Sequence, residues 1–268
     1  MTEPSRTDMT EPDEPFWAEP LRQAAGGRRV VLVGAVPAAW TDHVRHLTAA
    51  GATEFLLVAT EGRGVGPGPD VPTLVVEPPP AVGMMDRIRA SNRLIADASP
   101  DVTAAVDEFD PGGDALVIAT FLNESPTFAG RPVLAHRRAE WVALEDKTSV
   151  DELWDRAGLD RQPSRVLPVG EAPAAAAALD RGHGTVWAGD AREGFHGGGH
   201  LTRWVHDEAT QRTALDLLGA HCDMVRVMPF VEGTPCSIHA IVLDDGEAVL
   251  RPVEMVTLRH AGALLYAG

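Results

Sequence analysis

Residues 189–200 read GDAREGFHGGGH: five glycines, two histidines, an arginine and a glutamate in twelve positions. Ordering so many glycines costs backbone entropy, so the stretch must serve a purpose that glycine suits. It could form a tight turn, a metal site, or a loop whose backbone N–H groups close over phosphates. Metal is the weakest of these. His196 and His200 are four apart, a spacing that brings two rings together on a helix. Gly197, Gly198 and Gly199 between them oppose a helix. A second chemical candidate is Lys147, the single lysine beside 22 arginines. Its ammonium is a compact point charge suited to phosphate, although a solvated surface lysine is the plainer alternative. Ser237 and His239 lack the G-x-S-x-G elbow of a hydrolase. Asn123-Glu124-Ser125 follows an apparent strand, where parallel-sheet loops meet ligands, although a plain connecting loop is the simpler reading.

Bulk properties exclude several classes. Asp and Glu outnumber Lys and Arg 39 to 23, a net charge of −16. Such a surface repels nucleic acid and anionic membranes. No apolar run reaches roughly the 18 residues of a membrane span. The first 25 residues are acidic and proline-rich, unlike a secretory signal. The two cysteines, Cys222 and Cys236, make no disulfide framework and suit a reducing compartment. We therefore expect a cytoplasmic protein without nucleic-acid or membrane partners, with a homodimer left open. Arginine over lysine, with abundant Ala, Gly and Pro, has the stamp of a GC-rich, actinobacterial-type genome.

The elements that must position these residues follow from pattern. Residues 1–27 read as a disordered acidic tail. Apolar runs at 28–35, 54–60, 73–78 and 114–120 suggest buried parallel strands, with helical spacing at about 38–50 and 83–97 between them. This β-α-β order predicts an α/β unit over 28–144. The turn after its first strand, Gly34-Ala-Val-Pro-Ala-Ala, keeps only the first glycine of G-x-G-x-x-G, which disfavours a dinucleotide site. From 145 the pattern becomes α+β. A helix is expected over 145–159, capped by Asp146 or Thr148, with Leu153, Trp154 and Ala157 as its apolar stripe and Gly158 at its end. Strands at 164–169, 184–191, 201–205 and 224–231 alternate with helices at about 172–180 and 207–219. A hairpin folds around Asp244-Asp245-Gly246.

In this order (helix with lysine, strand, helix, strand, glycine loop, strand, helix, strand, then Val231-Glu232-Gly233 and a hairpin) the chain resembles the ATP-grasp superfamily over about 28–268. The resemblance is carried by the order of degenerate motifs. It implies a Rossmann-like pre-ATP-grasp domain (28–144), a first ATP-grasp lobe (145–223), and a hinge strand with the start of a second lobe (224–268). Lys147 matches the phosphate-binding lysine, and 189–199, with Gly194, Gly197, Gly198 and Gly199, the loop covering phosphates. The segment 228–233 matches the inter-lobe hinge. The backbone around Pro229–Val231 would read the adenine edge, with its hydrogen bonds shifted because Pro229 has no N–H; Met228 and Phe230 would supply apolar walls, and Glu232 would take the ribose hydroxyls. A second phosphate lysine is replaced by Ala188, so Arg192 would supply that charge as a guanidinium fork, the alternative being a merely solvated arginine. Arg251 and Arg259 would hold a substrate carboxylate or the transferring phosphate, with His239 and Glu254 beside them on the hairpin strands. Alternation sets Arg251, Val253 and Met255 on one face and Glu254 on the other. The implied cofactors are ATP and Mg²⁺, the implied substrates a carboxylic acid and an amine. The implied activity is ATP-dependent carboxylate–amine ligation through an acylphosphate. The family's E-x-N metal strand does not occur before Gly268, so no metal ligand is assigned and an incomplete two-lobed ATP-grasp domain is expected. A catalytically inactive fragment that binds nucleotide or a partner is the alternative.

Overall fold

The computed structural model describes residues 18–62, 66–68, 70–77, 84–119, 123–134, 136–190, 192, 199–243, 246–260 and 262–266. The chain divides into two compact units between Ala139 and Glu140.

The first unit starts earlier than its apolar runs suggest. Residues 18–25, expected in the tail, form helix α1 (Ala18–Ala25). Leu21 and Ala25, one turn apart, pack against the first sheet, and that burial orders the segment. The next elements are β1 (Arg29–Gly34), α2 (Thr41–Ala49), β2 (Glu54–Ala59), β3 (Thr73–Val75), α3 (Met84–Ala96), α4 (Pro100–Phe109), β4 (Leu116–Ala119), β5 (Thr127–Phe128) and β6 (Arg131–Leu134). The sheet order is β3-β2-β1-β4-β6-β5. All its pairings are parallel except β5 with β6.

Alternate residues of β1 and β2 serve two cores. Val31, Val33 and Val58 face Ile95 of α3 and Val102 and Val106 of α4. Val30, Leu32 and Leu57 face Ala25, Trp40 and Leu47. Both faces are therefore covered, which is why the strands read as continuous apolar runs. Helix α4 is set by Ser99, whose Oγ accepts from the Val102 N–H, and by Pro100 in the first turn. Buried Arg131 donates to the Asp110 carboxylate at 3.0 Å and to its carbonyl at 2.6 Å, pinning β6 to the end of α4. Gly34 is required by packing: a Cβ there would stand 2.7 Å from the Trp40 ring.

The second unit contains α5 (Ala139–Val142, at the boundary), α6 (Val150–Arg156), β7 (Arg165–Pro168), α7 (Ala172–Leu179), β8 (Thr185–Gly189), β9 (Thr202–Val205), α8 (Glu208–His221) and β10 (Met224–Pro229). Strands β7-β10-β8-β9 form an antiparallel sheet. Helices α7 and α8 cover one face through Ala172, Ala176, Ala214 and Leu218, which pack on Trp187, Val225 and Val227. Helix α8 opens with a capping box between Asp207 and Thr210. At the end of β8, a Cβ on Gly189 would lie 2.3 Å from the Cys222 Sγ, so only glycine fits over that thiol.

Short ribbons follow: β11 (Cys236–Ser237), β12 (Ala240–Leu243), β13 (Gly246–Val249), β14 (Val253–Glu254), β15 (Thr257–His260) and β16 (Ala263–Tyr266). They pair as β12–β13, β11–β14 and β15–β16. Two expectations need correcting here. Helix α6 begins at Val150, not at 145, and its N-cap Ser149 makes no side-chain cap. The Asp146 Oδ1 instead accepts from the N–H and hydroxyl of Thr148, both at 2.8 Å, closing a turn on itself. The anticipated stripe is also shallow, with Trp154 40% exposed.

Candidate functional site

Register shows which residues share the face of the second sheet opposite α7 and α8. Arg226 on β10 lies opposite Ala188 on β8 and Val166 on β7. Met228 lies opposite Val186, and Val186 opposite Trp204 on β9. With a side-chain period of two, these positions stand on one side and the helix-packed Val225, Val227 and Trp187 on the other. The face thus carries Val166, Ala188, Val186, Met228 and Trp204 around one buried cation, Arg226.

Arg226 is 6% exposed. Its Nη2 pairs with Asp151 Oδ1 at 2.7 Å and its Nη1 meets the Met228 sulfur at 2.9 Å. Its Nε is buried and has no hydrogen-bond partner among the described residues. Asp151 also accepts from the Ser164 hydroxyl and lies 3.5 Å from Arg161. Burial alone would raise the Asp151 pKa. The hydrogen bonds from Arg226 and Ser164, and both arginine charges, outweigh that and hold it below the ordinary carboxylate range.

Beyond β10 the chain continues through Phe230, Val231 and Glu232. The Phe230 ring lies 5.0 Å from that of Trp204. Trp204 is further fixed by its indole N–H, which donates to the His183 carbonyl at 2.9 Å, and by the His206 ring at 4.1 Å. Val231 is 58% exposed. The Phe230 N–H donates to the Gly184 carbonyl at 3.0 Å, and Pro229 has no N–H to offer.

Several candidates sit differently from expectation. Arg259 belongs to the separate ribbon β15–β16, and its guanidinium forks onto both oxygens of Glu232 at 3.0 Å each. Arg259 therefore engages an internal carboxylate, and the hydrogen bonds it donates hold Glu232 below the usual range. His239 and Arg251 are not on strands. Residues 250–252 separate β13 from β14 along the chain, and Pro252 lacks the N–H a ladder needs. The continuous alternation expected over 251–255 is therefore broken: only Val253 and Glu254 of these are in a strand, with Glu254 opposite Cys236. Ser237 and His239 approach to 3.3 Å, an exposed pair in contact with solvent. Lys147 is exposed in the turn that precedes α6.

Arg192, expected to face phosphate, donates to Asp223 Oδ1 at 3.0 Å and to the Ala220 and Cys222 carbonyls at 3.2 and 2.8 Å. Gly199 is an exposed turn residue, while Gly194, Gly197 and Gly198 lie outside the described residues, as does His196. Asn123 folds onto its own loop, exchanging hydrogen bonds with Ser125 at 2.8 and 3.0 Å. Among the described residues no three His, Cys, Asp or Glu side chains cluster to hold a metal. Among them, too, no helix is long and apolar enough to cross a membrane. Cavities of about 570 and 320 Å³ lie in the first unit, near Phe55 and Thr60 respectively, and hold none of the candidate residues.

Sequence reasoning missed Trp204 and the β15–β16 ribbon. Gly262, set between the short runs 257–260 and 263–266, was the available signal for the ribbon. Nothing in local spacing marks Trp204, because its neighbours come from residues 183, 206, 230 and 259.

No protein-family model matches the sequence, and no curated protein matches it. Among solved structures, the chain is similar to N5-carboxyaminoimidazole synthetase from Staphylococcus aureus complexed with ADP, with a TM-score of 0.48 and 11% identity over 90% of this chain and 57% of that one. It is similar to L-amino acid ligase from Bacillus licheniformis, with a TM-score of 0.47 and 14% identity over 86% of this chain and 51% of that one. It is also similar to D-alanyl-alanine synthetase A from Vibrio cholerae, with a TM-score of 0.47 and 14% identity over 88% and 68%. The chain spans 57% of the length of the synthetase from Staphylococcus aureus. At these identities and TM-scores the overlays assign neither family nor activity to this chain, and its function has to be argued from its own residues.

Proposed function

We propose that the chain binds ATP along the face of the second sheet opposite α7 and α8 and its Phe230–Glu232 extension, and that it is an ATP-dependent carboxylate–amine ligase of ATP-grasp type. One observation supports this most. An apolar sheet face (Val186, Met228) runs into two adjacent aromatic rings (Trp204, Phe230) and then into an exposed carboxylate (Glu232). Such a run suits a nucleoside, whose base packs on apolar and aromatic surface and whose ribose hydroxyls donate to a carboxylate. Pro229 and the bonded Phe230 N–H leave the base edge to carbonyl groups and to the N–H groups from Val231 onward.

The phosphates fall to Lys147 and to the glycine-loop N–H groups at Gly194 and Gly197–Gly199. Arg192 joins them only by leaving Asp223. A substrate carboxylate oxygen attacks the γ-phosphorus and the bond to the bridging oxygen breaks, releasing ADP. An amine then attacks the acyl carbon, phosphate departs, and the amine nitrogen loses a proton. The protein's part is positioning and charge neutralisation, with Arg251, His239 and Glu254 on the substrate side. Magnesium is expected with the nucleotide, and no step is drawn through a protein-held metal.

A second reading, nucleotide binding without turnover, draws on Ala188. It stands beside Arg226 on the face opposite α7 and α8, at the position where the family resemblance implies a second phosphate-binding cation, and Arg226 is already paired with Asp151. Thermal melts test the common part: ATP raises the melting temperature and NAD does not. A ligand at about 100 times its Kd adds about 2.7 kcal/mol. Lys147→Ala should abolish the ATP shift. ADP release that requires an acid, an amine and Mg²⁺ separates ligation from binding alone. A melt unmoved by ATP would overturn both readings.

A further inference from the structure

We infer that Arg259 is an internal plug: it covers the aromatic platform of Trp204 and Phe230 and occupies Glu232, and a nucleoside enters when the β15–β16 ribbon gives way. The inference rests on the reading that ATP binds at Phe230 and Glu232, and it adds Trp204 as a base-stacking residue and the ribbon as the regulator of that site. The guanidinium carbon lies over both rings, 5.1 Å from the Trp204 centroid and 4.7 Å from that of Phe230. Its two Nη atoms take both Glu232 oxygens. A flat cation stacked on aromatic faces and forked onto a carboxylate uses the same surface and the same acceptors as a base with its ribose. Both cannot be bound together.

The plug is held and yet releasable. The ribbon is tethered to edge strand β9 by the Trp204 N–H, which donates to the Gly262 carbonyl at 2.7 Å. Gly262 has φ +76°, and a Cβ there would press on the Trp204 carbonyl at 3.0 Å, so the ribbon's turn is fitted closely to the edge. The ion pair itself is exposed, with 40% of the Arg259 side chain and 47% of Glu232 accessible. Exposed ion pairs and exposed cation–π contacts each shift an equilibrium only a few-fold. The plug therefore lowers the competent fraction without closing the site, and apparent affinity falls in proportion to that fraction.

Calorimetric titration with ATP, and with adenosine to isolate base and ribose, tests this on the full chain. Arg259→Ala should tighten both ligands by about 5- to 10-fold. Adding Trp204→Leu should erase the gain, while Trp204→Phe, which keeps an aromatic face and guards against a folding effect, should retain most of it. If the wild-type protein binds ATP and Arg259→Ala binds it equally or more weakly, the plug is overturned and the ATP reading stands. If neither protein binds ATP or adenosine, both fall.

Discussion

Asp151 shows how one carboxylate ties several elements to the face opposite α7 and α8. It joins α6 to β10 through Arg226 and to the segment before β7 through Ser164 and Arg161. Removing one partner of a buried ion pair strands the other, so Asp151→Ala should cost about 3–5 kcal/mol in denaturant melts. The pH dependence follows from the lowered pKa. A carboxyl whose folded pKa lies below its unfolded value contributes fully above the ordinary range, and the contribution is lost as pH falls through the folded value. Wild-type stability should therefore drop below about pH 4, and Asp151→Asn should flatten that part of the profile. Equal slopes in the two proteins would disprove this role. Lys147 stood out in the sequence because it is the sole lysine. The Glu232–Arg259 fork did not, because its partners are 27 residues apart, with the ribbons β11–β14 and β12–β13 between them.

At the scale of elements, the strands of the first unit were legible because burial on both faces leaves an uninterrupted apolar run, as in Val30–Val33. The start of α6 was not. Asp146 has a capping residue's chemistry but spends it on Thr148, a local competition that type and spacing do not resolve. The ribbons after Glu232 were only partly legible. The sequence Asp244-Asp245-Gly246 signals the hairpin β12–β13, yet Val249, Val253 and Leu258 are all more than half exposed, so no clean inside–outside alternation announces their strands. Two substitutions probe elements directly. Ser99→Ala removes the α4 cap and should cost about 1 kcal/mol. Gly262→Val forces a β-branched residue into φ +76° against the Trp204 carbonyl, and should speed proteolysis within 257–266 while leaving α4 protected. Unchanged cleavage there would mean that the ribbon is not held through Gly262.

Across the whole molecule, each unit carries its own hydrophobic core: two clusters flank the parallel sheet, and one lies between the antiparallel sheet and α7 with α8. Trp187, fully buried in the last of these, should cost about 3–5 kcal/mol as Trp187→Ala. Hydrogen exchange should then rise across β7–β10 while β1, β2 and β4 keep their protection. Loss of protection in both units would contradict separate cores. The glycine that roofs Cys222 also sorts the chain's two thiols. Burial first, then the nearby Asp190, push the Cys222 thiol up to about 12, whereas Cys236 is exposed on β11. Cys236 alone is thus open to alkylation in the native protein, and it is a ready point for a fluorophore a few residues beyond Glu232. Cys222 becomes countable only when the second sheet comes apart, so a simple thiol assay serves as a clock for that event.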